Sequence, residues 1–244
     1  MNKTYAFSDI HGQYELWEQI KNFIDPSDRL IFLGDACDRG KDGIKILQEM
    51  LKDPRITIIY GNHEDFIVNV GSDLMEDNYS MVQAWSNNGG YDTCLDFLRL
   101  HPFEQRNLIV KLLKLPLVVE HVNTRGQTIL LSHAGFTPGK EYNTEIHAEE
   151  YYWNRKHFFD AWPEGYDNTF IVHGHTPVQH LNARNVVNQR YDELGLPEIA
   201  IYAKGHKIDL DLGSYVTNKI VLFDLDELKV AKTFYNIKEW EEQE

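Results

Sequence analysis

The sequence predicts an α/β protein, a layered α/β sandwich of two mixed β-sheets flanked by helices, with a helical cap insertion. Strand-like apolar runs alternate with helical periodicity over the first 60 residues, which favours a parallel sheet with right-handed crossovers. A mainly helical stretch follows, and strand-like runs then return. Because a mixed α/β chain of 244 residues can bury its own core, we expect one domain spanning residues 1–244.

The first 60 residues contain three predicted strands joined by two predicted helices. In chain order these elements are expected at Tyr5–Phe7, Tyr14–Ile24, Leu30–Leu33, Ile44–Leu51 and Ile56–Tyr60. The first helix should end at Asp25-Pro26, because proline cannot continue a helix. This layout is a repeated β-loop-α unit.

The stretch from about 65 to 115 has helical periodicity, with Gly89-Gly90 and Pro102 as breaks. We interpret it as an insertion that shapes the substrate site. Strand-like segments return afterwards and are expected to build the second sheet. They are Leu117–Glu120, Thr128–Leu131, Phe170–Val172, Ile199–Tyr202, Lys207–Leu210 and Lys219–Phe223. The glutamate-rich tail, Glu239–Glu244, is expected to be solvated.

Five short polar clusters directly follow strand-like runs. They are Asp9-Ile10-His11-Gly12, Gly34 through Gly40, Gly61-Asn62-His63-Glu64, Ser132-His133-Ala134-Gly135 and His173-Gly174-His175-Thr176. Parallel strands end at one edge of a sheet, so Asp, His and Asn side chains at these positions can converge there. Carboxylate, amide and imidazole groups are metal ligands. One such cluster is common in proteins, but five together predict a metal site and suggest a two-metal phosphoesterase.

These motifs resemble those of the calcineurin-like metallophosphoesterases, and specifically the phosphoprotein phosphatase branch. The order and approximate spacing of the five clusters match, including Asp38-Arg39-Gly40 and Gly174-His175-Thr176-Pro177. The chain is most similar to the compact bacterial and phage enzymes, the lambda phosphatase type and the symmetrical diadenosine tetraphosphatases. Trp85 through Gly90 strengthens that likeness, and Ser8, where many members have glycine, is a mild departure.

The resemblance implies two divalent metal ions bridged by Asp35. Asp9, His11 and Asp35 would hold the first ion; Asp35, Asn62, His133 and His175 would hold the second. Such mixed ligand sets accept Mn, Fe, Zn, Ni or Co, and the family favours Mn. His173 is left out of the ligand set because the family requires only one histidine there.

The resemblance also assigns two catalytic residues. His63 would be the general acid that protonates the leaving alkoxide, with Asp38 orienting its ring. A third metal ligand or a structural histidine is the alternative for His63. Glu64 is interpreted as structural, and Cys37 as a packed neutral thiol that could otherwise be oxidised or bind a soft metal.

Two arginines are the predicted phosphate-binding residues. Arg39 can present two parallel donors to phosphate oxygens. Arg155, in Tyr152-Trp153-Asn154-Arg155, resembles the second phosphate-binding arginine of the bacterial enzymes, with a surface salt bridge as its alternative.

Composition narrows the possible partners. The net charge of −14 argues against general attraction to nucleic acid, and no apolar run reaches the length of a membrane span. Two cysteines are too few for a disulfide framework, so we expect a reducing, cytoplasmic location. The sequence does not determine the oligomeric state.

We therefore expect a phosphatase that hydrolyses phosphomonoesters, with phosphoserine or phosphothreonine in proteins as the expected substrates. The alternatives are a symmetrical dinucleoside tetraphosphatase or another small-molecule phosphoesterase. A phosphodiesterase is less favoured because Pro177 stands where those enzymes often have histidine. A noncatalytic scaffold of the same fold is the rival outside the enzymes, although every expected ligand is present.

Overall fold

Two five-stranded sheets face each other in the computed structural model, which describes residues 2–76, 78–140 and 147–236. In chain order the strands are β1 Thr4–Phe7, β2 Arg29–Phe32, β3 Ile56–Ile58, β4 Val118–Val122, β5 Thr128–Ser132, β6 Thr169–His173, β7 Ala200–Tyr202, β8 Lys207–Asp209, β9 Lys219–Asp224 and β10 Lys229–Tyr235. Both sheets contain parallel and antiparallel pairs. The predicted fold class is confirmed.

The first sheet has the order β10-β9-β1-β2-β3. Its three N-terminal strands are parallel, as predicted, with Phe7 opposite Phe32 and Phe32 opposite Ile58. The loops that follow β1, β2 and β3 therefore emerge at one edge, where the first three polar clusters lie.

The assignment of Lys219–Phe223 to the second sheet was wrong. These residues belong to β9, which pairs antiparallel with β1 in the first sheet, with Ala6 opposite Phe223. All six residues of β9 are buried, so its apolar run carries no alternation that would identify its neighbours. Its other neighbour, β10, was not predicted, because this edge strand intersperses exposed lysines with apolar residues.

The second sheet has the order β4-β5-β6-β8-β7. Strands β5, β6 and β8 are parallel, with Leu131 opposite Val172 and His173 opposite Asp209. The fourth and fifth polar clusters follow β5 and β6, which are neighbours. The core between the two sheets includes Ala6, Leu33, Val172, Ile208 and Phe223.

Eight α-helices lie in the described residues. They are α1 Tyr14–Phe23, α2 Gly43–Met50, α3 Asn62–Met75, α4 Val82–Trp85, α5 Tyr91–Arg99, α6 Pro102–Leu112, α7 Val178–Ala183 and α8 Ser214–Thr217. A single π-turn, Ser86–Gly90, joins α4 to α5. No helix of the described residues is long and apolar enough to cross a membrane.

The helical stretch contributes to the main core as well as to the site. Trp85, Phe97 and Leu112 are buried in the same apolar cluster as Phe7 and Leu16. Gly71 lies against the ring of Phe97, where a Cβ would come within 3.0 Å of it. The action of this stretch on substrate stays a prediction.

Candidate metal centre

The loops that carry the first two polar clusters run side by side beyond β1 and β2. The backbone N–H of Asp9 donates to the Gly34 carbonyl at 3.1 Å, and that of His11 donates to the Asp35 carbonyl at 3.1 Å. These bonds continue the parallel ladder past the strand ends. They bring Asp9, His11 and Asp35 to one place.

Backbone bonds also join the clusters of the second sheet to those of the first. Gly174 N–H donates to the His133 carbonyl at 2.8 Å, and His175 N–H donates to Asp9 Oδ2 at 3.0 Å. A Cβ at Gly174 would overlap Ser8 Oγ and Asp9 Oδ2. Glycine is therefore required where the two sheets meet at the site.

Asp35 lies at the centre of the arrangement. Its Oδ2 is 3.8 Å from His11 Nε2 and 3.7 Å from His63 Nε2, and its Oδ1 is 3.3 Å from His133 Nε2. Two groups of side chains could hold a metal ion, one made of His11, Asp35 and His63 and the other of Asp35, His133 and His175. Asp35 is common to both groups.

Asn62 brings the two remaining imidazoles together. Its Oδ1 lies 2.9 Å from His133 Nε2 and 2.8 Å from His175 Nδ1. The other ring nitrogen of His133 contacts the Leu33 carbonyl at 2.8 Å. That carbonyl accepts the Nδ1 proton, so Nε2 is the nitrogen that faces Asn62 and Asp35.

The donor set fits divalent metal ions. All six predicted ligands are buried: Asp9, His11, Asp35, Asn62, His133 and His175. Asp9 Oδ1 has no hydrogen-bond partner among the described residues, although a buried carboxylate oxygen is costly to leave unpaired. His11 Nδ1 is 2.8 Å from the Cys37 carbonyl, so its Nε2 faces Asp35 and Asp9.

Burial and mutual charge set the protonation of these groups. Burial lowers the pKa of His11 and His175 well below the ordinary value, which favours the neutral form that binds metal. Burial raises the pKa of Asp9 to about 6. Burial also opposes ionisation of Asp35, but the nearby His133 and His63 hold its pKa well below the ordinary value.

His63 contacts Asp38 at the rim of this centre. His63 Nδ1 lies 2.6 Å from Asp38 Oδ2, and Trp85 Nε1 donates to the same oxygen at 2.9 Å. His63 Nε2 is left facing Asp35 and Arg39. Burial lowers the pKa of His63, but Asp35 and Asp38 outweigh it and raise that pKa above the ordinary value. This geometry suits either a proton donor or an additional ligand.

Arg39 reaches over the centre from an exposed position. Its Nη1 donates to His11 Nε2 at 2.7 Å, and its Nη2 lies 3.3 Å from His63 Nε2. The guanidinium stacks 4.5 Å above the ring of Tyr215. Tyr215 follows α8 residue Ser214, whose hydroxyl donates to the Asp9 carbonyl, and no motif in the sequence indicated this contribution.

Arg155 lies on the second-sheet side of the centre. Its Nε donates to Thr176 Oγ1 at 3.0 Å, and burial lowers its pKa. No carboxylate of the described residues lies within 4.0 Å of this guanidinium, so the alternative of a salt bridge finds no partner there. Its place beside Thr176, next to His175, suits a phosphate contact.

Glu64 ties the second cluster to the third. Its two carboxylate oxygens accept from the backbone N–H groups of Asp35 at 2.8 Å and Ala36 at 2.9 Å. The N–H of Gly61 donates to the same side chain at 3.1 Å. Glu64 is therefore a structural residue of the ligand loops. Cys37 is buried nearby, and burial raises the pKa of its thiol well above the ordinary value.

The backbone of the centre is unusual because six residues other than glycine have φ in the left-handed region. They are Asp9 at 51°, His11 at 46°, Asp35 at 64°, Asp38 at 68°, Arg39 at 65° and His175 at 70°. Such conformations cost about 1–3 kcal/mol each and cluster at functional sites. Here they coincide with the predicted site residues.

A buried lysine supports the loop that carries His133. Lys207 is fully buried, and its Nζ contacts the His157 carbonyl at 2.7 Å and His157 Nδ1 at 3.2 Å. His157 Nε2 donates to the Ala134 carbonyl at 2.7 Å, next to His133. No motif around His157 indicates this role, and only the pairing of distant segments reveals it.

Comparison with known proteins agrees with this geometry. The calcineurin-like phosphoesterase family profile matches residues 3–213. Serine/threonine-protein phosphatase 2 of Escherichia coli strain K12 is 27% identical over 202 residues, covering 79% of this chain and 87% of that protein. A symmetrical bis(5'-nucleosyl)-tetraphosphatase of Coxiella burnetii is 36% identical over 81 residues, which cover 31% of this chain and 28% of that protein.

A solved metallophosphoesterase structure from Sphaerobacter thermophilus has the same fold. Its TM-score is 0.52 at 17% sequence identity, and the match covers 99% of this chain and 92% of that one. The chain belongs to the calcineurin-like phosphoesterase family. The family expected from the motifs is thereby confirmed.

Proposed function

We propose that this calcineurin-like phosphoesterase is a two-metal phosphatase that hydrolyses phosphomonoesters. The observation that carries the proposal is the position of Asp35, which is shared by both groups of possible ligands. A carboxylate shared by two ligand groups could hold two cations close together, which two-metal hydrolysis needs. When bound, the two ions would activate water, polarise the phosphate and stabilise charge on the attacking and leaving oxygens.

The protein's own side chains would bind the phosphate and donate a proton to the leaving group. Arg39 and Arg155 would hold the phosphate oxygens, since both present guanidinium donors at the centre without a carboxylate partner among the described residues. His63 would donate a proton from Nε2 to the leaving oxygen while Asp38 holds Nδ1. Manganese is the proposed metal, and iron, zinc, nickel and cobalt suit the same ligands.

Phosphoserine and phosphothreonine in proteins are the proposed substrates. The similarity to the Escherichia coli phosphatase over 79% of this chain supports this choice. A symmetrical dinucleoside tetraphosphatase is the second candidate, supported by the shorter match to the Coxiella burnetii protein. A noncatalytic scaffold would not need the buried, complete ligand set, so we propose an enzyme.

The first experiment separates an enzyme from a scaffold. Hydrolysis of para-nitrophenyl phosphate is measured with added Mn²⁺ and then with excess chelator. We expect turnover that the chelator abolishes and fresh Mn²⁺ restores. Inactivity with Mn, Fe, Zn, Ni and Co alike would favour the scaffold. A panel of phosphopeptides, diadenosine tetraphosphate, nucleotides and small phosphomonoesters, compared by kcat/KM, then identifies the substrate class.

A further inference from the structure

A cavity of about 840 Å³ opens between the two sheets at one edge of the sandwich. Strand β7 ends the second sheet and β10 ends the first, and both strands line this cavity. The segment Val186–Asp192, which lies between α7 and β7, forms another part of the wall. The lining includes no proposed metal ligand and no proposed phosphate-binding residue, so the cavity is separate from the metal centre.

The bottom of the cavity is apolar. Val221 and Phe223 of β9 line it from the first sheet, and Ala200 and Tyr202 of β7 line it from the second. All four residues are buried and belong to the core between the sheets. Because protein interiors are close-packed, a space of this size beside core residues is too large for a packing defect. Its volume lies in the range of small-molecule binding pockets.

The buried polar groups of the lining already have partners within the protein. Lys219 Nζ lies 2.7 Å from Asp192 Oδ2 and donates to the Pro197 carbonyl at 2.6 Å. The hydroxyl of Tyr235 donates to the same Asp192 oxygen at 2.9 Å. These groups hold the wall together and need no ligand.

The remaining charges of the lining favour an anion. Three cationic and two anionic side chains line the cavity, namely Arg190, Lys219, Lys229, Asp192 and Glu198. Since Lys219 and Asp192 neutralise each other, Arg190 and Lys229 are opposed by the single carboxylate of Glu198. The cavity thus has an excess of positive charge, although the whole chain carries a net charge of −14.

Arg190 is the partner that an anionic group at the mouth would find. Its side chain is exposed, and it takes no part in the arginine–carboxylate pairs of the described residues, which involve Arg55, Arg99 and Arg125. Lys229 is exposed as well, and its nearest carboxylate, that of Glu227, is 3.9 Å away. A guanidinium presents two parallel donors that match the two oxygens of a carboxylate.

An apolar interior with a cationic mouth suits an amphipathic molecule. Half-buried aliphatic side chains of Val187, Ile199 and Leu228 line the space between the mouth and the core residues. We propose that the cavity binds a medium-chain fatty acid, with its alkyl chain between the sheets and its carboxylate at Arg190. Burial of the alkyl chain supplies the affinity, and the guanidinium selects the charge of the head group.

Calorimetric titration with dodecanoate tests this site. The Mn²⁺-loaded protein is used with saturating inorganic phosphate, which competes with the carboxylate for the metal centre. We expect dodecanoate to bind at one site per chain, at least about tenfold more tightly than dodecylammonium. Arg190→Ala should weaken dodecanoate binding by about tenfold or more. Arg106→Ala, which removes an exposed arginine from α6, is the matched control and should leave it unchanged.

A second variant tests the position of the alkyl chain. Val187→Trp adds a large side chain to the cavity wall and should abolish dodecanoate binding while circular dichroism stays unchanged. Val110→Trp, on an exposed position of α6, is its control. If Val187→Trp does not fold, Arg190→Ala still decides whether the head group lies at the mouth.

Three results would overturn the inference. They are an absence of saturable dodecanoate binding, an affinity that survives in Arg190→Ala or in folded Val187→Trp, and dodecylammonium binding as tight as that of dodecanoate. The last result would make Glu198 the partner of the head group. Each measurement is of binding and needs no turnover, so the outcome is independent of the proposed function.

Discussion

His63 Nδ1 lies 2.6 Å from Asp38 Oδ2, and this contact fixes which nitrogen of His63 faces the metal centre. The carboxylate accepts the Nδ1 proton, so Nε2 points towards Asp35 and Arg39. Asp38 is fully buried, and a second donor, Trp85 Nε1, holds the same oxygen. The orientation of His63 thus depends on the buried carboxylate of Asp38.

Replacing Asp38 by Asn should lower kcat for para-nitrophenyl phosphate by about tenfold to 100-fold, because the ring of His63 loses its anionic acceptor. Metal content should stay near that of the parent protein, since Asp38 is not a proposed ligand. Steady-state kinetics and elemental analysis of the same samples provide the check. Loss of metal in Asp38→Asn would show that the pair supports ligation instead.

Trp85→Phe is the matched control for that variant. It removes the second hydrogen bond to Asp38 Oδ2 but leaves the His63 contact in place. We expect kcat to fall by less than about tenfold. An equal loss in both variants would mean that packing around Asp38, rather than its charge, governs turnover.

Asp35→Asn should reduce the metal content from the proposed two ions per chain to fewer than one, because Asp35 belongs to both possible ligand groups. Asp9→Asn should lose only one ion, since the Asp9 carboxylate lies 3.9 Å from His11 Nε2 and is a proposed ligand of the first ion alone. Elemental analysis after dialysis against limiting Mn²⁺ measures both. Two ions retained in Asp35→Asn would contradict the shared-carboxylate arrangement.

Lys207 should make stability depend on pH above neutrality. Burial lowers the pKa of Lys207 to about 8 from the 10.5 of a free lysine. Between these values the unfolded chain binds more protons than the folded protein, so the free energy of unfolding rises with pH. Relative to the Lys207→Met variant, the free energy of unfolding of the parent protein should increase by about 3 kcal/mol between pH 8 and pH 10.5.

Urea unfolding of both proteins at several pH values from 7 to 10.5 measures this difference. Because other titrating groups are common to both proteins, their contributions cancel in the comparison. Parallel stability curves would show that Lys207 has the same pKa in the folded and unfolded states.

Gly174→Ala should disturb the centre without changing any ligand. The added Cβ would overlap Asp9 Oδ2 and Ser8 Oγ, so Asp9 must move. We expect weaker Mn²⁺ binding and a loss of about tenfold or more in kcat/KM. Gly165→Ala controls for a general loss of stability, because its φ of 85° strains the new side chain although nothing lies within 4 Å of the Cβ position. Unchanged Mn²⁺ affinity in Gly174→Ala would contradict the tight junction between the sheets.

The convergence of the proposed ligands could be predicted because each follows a strand, where the local pattern and the parallel topology determine its place. Asp9, Asp35 and His175 are examples, and backbone bonds between the loops bring them together. The partner strands of β9 could not be predicted, since a strand buried on both faces has the same continuous apolar pattern whichever sheet it belongs to.

Contacts between distant segments could not be predicted from the sequence either. Lys207 supports the His133 loop through His157, 50 residues away along the chain. Tyr215 lies under Arg39, although it stands in no motif. The role of such residues becomes apparent only when distant segments are brought together in the fold.

The left-handed backbone of Asp9, His11, Asp35, Asp38, Arg39 and His175 has a consequence for protein engineering. Glycine or asparagine would occupy these dihedral angles more comfortably, so a library screened only for heat resistance should enrich them there. The variants selected in this way would lose turnover. Directed evolution of this enzyme therefore needs a simultaneous activity screen, or these six codons must be kept fixed.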